Sequence, residues 1–304
     1  MQAALTEGSG NPSSVHHEGR AARQRIELAR DRVAARLGGA RDEIVFSSSG
    51  SEANLQMVRA IAEEGARRGR SRLLYSPADH PSLVRAVEQS GLRIDPLPLD
   101  AHGRVQLDVL AMQLALGSDV AAIAVGWVNH ELGTVQSLDR LAALAHQAGA
   151  LLAIDAVQGV GRYALDVASV GVDLATISSH KLGGPQGVGA LWAARSIPVP
   201  AILVGGHQER ERRAGTENAL GIIGLGAAAA EPPSSTKVAR QRALGERLRD
   251  GVRALGAVLN SPDDAAAGLC NFAFDGVEGA LLVEALDLAG FAVSTGAACS
   301  SGSV

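Results

Sequence analysis

The sequence predicts an α/β fold: a mostly parallel central sheet with helices on both faces, followed by a smaller α/β domain. Two observations predict it. Over the first 230 residues, short apolar runs alternate with longer segments of helical period. Strands linked through helices lie parallel, with helices covering both faces. The stretch "EPPSST" (Glu231 to Thr236) then breaks the composition, and a charged helical segment follows it.

Taken in order, "MQAALTEGSGNPSSV" reads as an N-terminal loop, residues 1–15. Residues 16–231 form the large domain. Its strands are "RDEIVF", "SRLLYS", "LRIDPLPL", "VAAIAV", "ALLAID" and "VDLATIS". Its helices include "LQMVRAIAEEGARR", "PSLVRAVEQS", "QLDVLAMQLAL" and "SLDRLAALAHQAG". In the last, Leu138, Leu141, Leu144, Ala145 and Ala148 recur at helical spacing, and Gly149 is placed to stop the helix. Residues 232–304 form the small domain: the charged helix "KVARQRALGERLRDGVRAL", then strand, helix and short strand in "CNFAFDGVEGALLVEALDLAGFAVST".

Bulk properties narrow the function classes. A chain of 304 residues, 46% hydrophobic, buries one large core and a smaller lobe. Its 28 basic and 32 acidic residues nearly cancel, and aromatics make up only 3%, so neither a basic footprint nor a stacking platform for nucleic acid is present. The cluster "ARRGR" (Ala66 to Arg70) reads as the solvated end of a helix. No apolar run is long enough to span a bilayer, and the N-terminus lacks the order of a signal peptide. Two cysteines, Cys270 and Cys299, make neither a disulfide framework nor a four-cysteine metal site, and a cytoplasmic location is expected.

In parallel sheets the ligand sits at the carboxyl ends of strands. "SSSGSEAN" follows the first strand and brings Gly50 and Ser51 to a helix N-terminus, which suits a phosphate or simply caps the helix. The later strand ends deliver His80; Asn129 and Glu131; Asp155 and Gln158; and Ser178, His180 and Lys181. Each has a plain structural role as well: His80 starts a helix, Asp155 caps one and Asn129 holds a turn. Five successive strand ends with matching polar groups point to one site. Pyridoxal phosphate needs that inventory: a lysine amine, an acid to keep the pyridine nitrogen protonated, a flat group over the ring and donors for the phosphate.

Together the motifs resemble the cysteine desulfurases, pyridoxal-phosphate enzymes of the class V aminotransferase family. "GNPSSVHHEGR", "VNHELGTVQ", "DAVQGVGR", "SSHKLGGPQGVGAL", "GGHQERERRAGTEN" and "STGAACSSGS" match in order and spacing over nearly the whole chain. The resemblance implies a seven-stranded major domain, a minor domain and a homodimer. It makes Lys181 the lysine that holds the cofactor, Asp155 the partner of the pyridine nitrogen, and His80 the stacking and proton-moving residue. Gln158 and Asn129 would serve the ring oxygen. Gly50, Ser51, Ser178 and His180 would hold the phosphate, joined by Thr216 from the other subunit.

Cys299, in a loop of small polar residues, would be the nucleophile that takes sulfur from L-cysteine as a persulfide and leaves L-alanine. The sulfur would pass to an acceptor such as an iron–sulfur scaffold protein or a tRNA thiolation partner. Cys270, in "GLCNFAF", reads as an inert core thiol.

Ser51 stands where relatives usually carry threonine, and "SSSGSEAN" is less glycine-rich than its counterparts. Relatives open on a strand with an Asn-Ala-Ala-Thr-Thr-like stretch. They also continue past the cysteine loop to an arginine for the substrate carboxylate. Here the sequence opens at "MQAALTEGSG", and Ser300 to Val304 follow Cys299. A fragment or shortened homologue that binds cofactor and dimerises but turns over weakly, or acts as a binding partner, is therefore one alternative expectation. Selenocysteine lyase-like chemistry is another, and a mobile thiol argues against an aminotransferase.

Overall fold

Burial on both faces builds the central sheet. In the strand Val120–Gly126, Ile123 and Val125 join one core and Ala122 and Ala124 the other. In Leu151–Asp155, Leu152 and Ile154 alternate in the same way with Leu151 and Ala153. Period-two alternation with every residue apolar is what a sheet covered by helices on both sides requires.

The computed structural model describes residues 2–6 and 10–296. It opens with α1 (Gln2–Thr6), α2 (His17–Leu37), β1 (Ile44–Ser47), α3 (Gly50–Arg67), β2 (Arg72–Tyr75) and α4 (Pro81–Glu88). Then come β3 (Arg93–Pro96), α5 (Leu107–Ala115), β4 (Val120–Gly126), α6 (Leu138–Gln147), β5 (Leu151–Asp155) and α7 (Val167–Val170). β6 (Leu174–Ser178), β7 (Gly189–Ala193) and α8 (Ala219–Ala229) complete this part. After it stand α9 (Ser235–Arg253), β8 (Val258–Leu259), β9 (Phe272–Ala273) and α10 (Gly279–Leu288).

The seven-stranded sheet has the order β1-β7-β6-β5-β4-β2-β3. The run β6-β5-β4-β2-β3 is parallel, whereas β7 lies antiparallel between β6 and β1. The α/β expectation holds, and all six expected strands form. β7 is the strand that reading the apolar runs missed, because "GALWA" looks like the tail of the Lys181 motif. Gly189, its first residue, lets β7 pass the first turn of α3: a Cβ there would stand 2.4 Å from the Ser49 carbonyl carbon. That close approach fixes the serine loop against the sheet.

Four local expectations are corrected. Residues 2–6 form a short helix instead of a loop, with Ala4 buried. Arg41–Glu43 make a 3-10 turn ahead of β1, because the Glu43 carboxylate accepts the Ala40 N–H at 2.7 Å. Residues Phe291 to Ser294 form no strand: no described segment pairs with them, and Phe291 and Val293 are exposed. Cys270 is half-buried, not sealed in the core, and burial pushes its thiol pKa up.

α2 and α8, absent from the expected helices, pack on one another through Ile26, Ala29, Ile222 and Leu225. Arg70, in the basic cluster, donates to the Val120 and Ala148 carbonyls at 2.8 and 2.9 Å and so serves the fold. No helix is long and apolar enough to cross a membrane among the described residues.

Candidate functional site

The loops after β1, β2, β4, β5 and β6 converge on one cavity of about 560 Å³. Gly50 and Ser51 line it from the first turn of α3; His80 from the start of α4; Asp155 and Gln158 from the end of β5. Ser178, His180 and Lys181 line it from the end of β6. These eight residues, singled out by the sequence for one site, thus line one space. Residues 269, 294 and 296 close it from the C-terminal region.

Asp155 is buried and held at both oxygens. Oδ1 accepts the Val157 N–H at 2.9 Å, and Oδ2 accepts Nδ2 of Asn54 at 2.7 Å. No helix follows, so its turn role is a local one and its carboxylate is fixed toward the cavity. Lys181 is exposed where its side chain lines the space, and no described carboxylate forms an ion pair with it. Its ammonium is therefore not committed to a structural salt bridge.

At the opposite end, Ser49 caps α3 by accepting the Glu52 N–H at 3.1 Å. An 18-residue helix then directs free N–H groups and the Ser51 hydroxyl into the cavity. The Ser178 hydroxyl and His180 Nδ1 lie 3.0 Å apart beside them. Burial, then the neighbouring Lys181 charge, pushes the His180 pKa down. Glu52 holds the loop from outside. Burial works against its charge, yet Arg213 and Ser48 hold its pKa below the usual carboxylate range.

His80 caps α4, as expected, and lines the cavity. Its Nδ1 accepts the Ser82 N–H at 3.1 Å and the Ser82 hydroxyl at 2.8 Å, which leaves Nε2 as the protonated nitrogen of the neutral ring. His130 meets it edge-on, with centroids 5.1 Å apart.

Asn54 is the residue that reading strand ends alone did not single out. Its amide joins two site residues: Nδ2 donates to Asp155 and, at 2.9 Å, to the Ser82 hydroxyl that serves His80. Its Oδ1 accepts the Thr176 hydroxyl at 2.6 Å, which sets the amide's orientation. The signal was available in principle: Asn54 lies on the apolar stripe of α3 with Ala53, Met57 and Ile61, where an amide needs partners.

Asp79 was also missed. Its carboxylate accepts the Gly126 N–H at 2.6 Å, and a Cβ at Gly126 would sit 2.8 Å from it. Burial, with the charge of Asp155 nearby, pushes its pKa up to about 7. His130 and Arg162 complete the unexpected lining.

Three expected residues lie elsewhere. Asn129 is buried behind the cavity: its Oδ1 accepts the Glu131 and Leu132 N–H groups and its Nδ2 donates to the Ala78 carbonyl at 2.8 Å. It holds the turn that carries His130. Thr216 is exposed on the loop before α8 and does not line the cavity. Cys299 lies outside the described residues.

Comparison with known proteins places this geometry in context. The family model described as aminotransferase class-V matches residues 1–304. A cysteine desulfurase of Cereibacter sphaeroides is 40% identical over 309 residues, covering 99% of this chain and 78% of the relative. A solved NifS-like protein from Rickettsia africae superposes with a TM-score of 0.88 at 28% identity, covering 96% of this chain and 82% of that one. SspA, solved in complex with cysteine, gives 0.82 at 27% identity, with 97% and 84% covered.

Proposed function

The chain belongs to the aminotransferase class-V family, among its cysteine desulfurases, and from that premise we propose that it takes sulfur from L-cysteine and releases L-alanine. The observation that carries this reading is the convergence of Lys181, Asp155, His80 and Ser178 on one cavity.

The residues present fit pyridoxal phosphate. A carboxylate fixed by Asn54 and Val157 suits a pyridinium partner, and a lysine with no carboxylate partner suits an aldehyde. Lys181 would hold the group and Asp155 would pair with its ring nitrogen. Gly50, Ser51, Ser178 and His180 would receive the phosphate. Gln158 would stand by the ring, with Asn129 acting at one remove through its turn. When bound, the cofactor supplies an electron sink for bonds at the substrate's carbons.

The chain's own residues do the rest. Asn54 keeps Asp155 aimed and, through Ser82, keeps the proton of His80 on Nε2, where it can be given or taken. The Cys299 thiolate forms a bond to the substrate sulfur as the carbon–sulfur bond breaks, and protonation of that carbon yields the methyl of alanine. Gly296, three residues before Cys299 in the sequence, lines the cavity.

Thr216, exposed and not among the residues lining its own chain's cavity, fits a role in a second copy's site and so a homodimer. A thiol that must stay free suits the cytoplasm, and the persulfide would pass to an acceptor protein in iron–sulfur cluster assembly or tRNA thiolation. The test is an assay for L-alanine and sulfide from L-cysteine with cofactor and reductant. Wild type is expected to form both, and Cys299→Ala to keep the cofactor absorbance while losing sulfide release. Undiminished sulfide from that variant would remove Cys299 from the reaction.

A further inference from the structure

His80 can pass protons through one nitrogen only. Its Nδ1 is occupied by the Ser82 N–H and hydroxyl, so Nε2 must both give a proton and be resupplied. The residue placed to resupply it is His130, which lines the same cavity. The two rings meet edge-on, with centroids 5.1 Å apart and planes inclined by 68°. The His130 side chain is only 11% exposed, yet neither of its ring nitrogens forms a hydrogen bond among the described residues. Its close carboxylate neighbour is Glu131, whose Oε1 lies 3.7 Å from Nε2 and whose side chain, 36% exposed, reaches solvent.

A nearly buried imidazole without hydrogen bonds is costly, which calls for a reason other than stability. The turn that carries it is fixed without the ring: Asn129 Oδ1 accepts the Glu131 and Leu132 N–H groups at 3.0 and 2.8 Å. Burial, then the charge of His80, pushes the His130 pKa down; Glu131 and Asp155 act in the opposite direction, and Lys181 downward again. The net shift favours the neutral ring. That form carries one N–H and one lone pair, so it can receive a proton at one nitrogen while releasing one from the other.

We propose that His130 is a positioning residue that serves His80, exchanging its Nε2 proton and linking it through Glu131 to solvent. The proposal rests on the desulfurase reading for the step that His80 serves, and it adds the route by which His80 is reset. When His80 gives its Nε2 proton to a substrate carbon, one nitrogen of His130 replaces it. The other nitrogen takes a proton from the Glu131 carboxyl, which water restores. Removal of a proton from the substrate runs the same chain in reverse, so the protein's own proton count is unchanged over a cycle. The outer end of the chain lies beside Gly296, where a Cβ would stand 3.0 Å from Glu131 Oε1.

Two measurements on the full chain test it. In the cofactor-free protein, imidazole titrations are followed by NMR. His80→Gln removes a like charge and is expected to raise the His130 midpoint, whereas Glu131→Gln removes an opposite charge and is expected to lower it. In the cofactor-loaded protein, exchange of the methyl hydrogens of L-alanine with deuterium oxide is followed in the same way. His130→Gln is expected to slow that exchange roughly 10- to 100-fold. Its cofactor absorbance should be unchanged, and free imidazole should restore part of the rate. Glu131→Gln should slow exchange less.

The relay is overturned if the His130 midpoint moves in neither variant, or if wild type exchanges no methyl hydrogen. It is equally overturned if His130→Gln exchanges as fast as wild type, or if imidazole leaves the slowed rate where it was. Exchange that depends on His130 in a wild type releasing no sulfide from L-cysteine would remove the desulfurase reading and leave the relay standing.

Discussion

The sheet and the region after Thr236 are built under different constraints. Every residue of β4, β5, β6 and β7 is buried, and the ends of β4, β5 and β6 deliver groups to the cavity. In α9 only Gly245 and Arg249 are buried; in α10 none is, and Leu281, Leu288 and Phe291 stand exposed. Apart from Ala266 and Leu269, which pack on the sheet's core, the later region is tied to the sheet by particular bonds. Ala266 N–H donates to the Gly133 carbonyl at 2.8 Å, Arg104 pairs with Asp264, and Arg162 holds Ala267. The sheet fixes the site's chemistry by packing, and the later region reaches the cavity by specific contacts.

Substitution at the two places should separate them most. Leu152→Ala removes a fully buried side chain from β5 and is expected to cost about 2–5 kcal/mol in denaturant unfolding. An effect of comparable size and opposite sign is expected of Asp79→Asn. The unfolded carboxyl titrates near ~3.9, whereas the folded one is raised to about 7. Between those values the folded state holds the extra proton, so this group's contribution to stability falls as pH rises and the penalty is complete above pH 7. Asp79→Asn should therefore be more stable than wild type at pH 8, by up to about 4 kcal/mol at about 1.4 kcal/mol per unit. The gain should shrink toward pH 5; a gain that grows on acidification would contradict the assignment.

Next in size is the loop at Glu209, Arg210 and Glu211, where three successive non-glycine residues have φ of 47, 58 and 66°. Glu209 secures the loop from inside, bonding Arg30 at 2.7 and 2.6 Å and accepting the Phe46 N–H. Glu211 is exposed, and its contact with His207 is a surface one. Glu211→Gly is expected to stabilise by about 1 kcal/mol in the same unfolding measurement. The smallest effect should come from Leu281→Ala, within about 0.5 kcal/mol. A loss as large as that of Leu152→Ala would mean that α10 is covered and the contrast false.

What could be read from the sequence follows the same division. Six strands were legible because burial on both faces leaves continuous apolar runs, and their ends located Asp155, His80 and Lys181. β7 was hidden by the glycine-rich turn ahead of it. The amphipathic surface helix α2 and the nearly all-apolar α8 give no strand-like punctuation, and their mutual packing is visible only in three dimensions. Asn54, Asp79 and Arg162 escaped because their roles come from partners far along the chain: Asp155, Gly126 and Ala267. Phe291 to Ser294 have the composition of a strand, but no described segment pairs with them.

The chain contains two lysines, Lys181 in the cavity and Lys237 on the exposed face of α9. Loading the full chain with pyridoxal phosphate, reducing with borohydride and mapping the labelled peptide therefore asks directly which amine bonds the aldehyde. The cofactor mass is expected on Lys181 alone, with Lys181→Ala unlabelled. Label on Lys237, or equal label in the Lys181→Ala protein, would show that the cavity at the ends of β5 and β6 is not where the cofactor is bound.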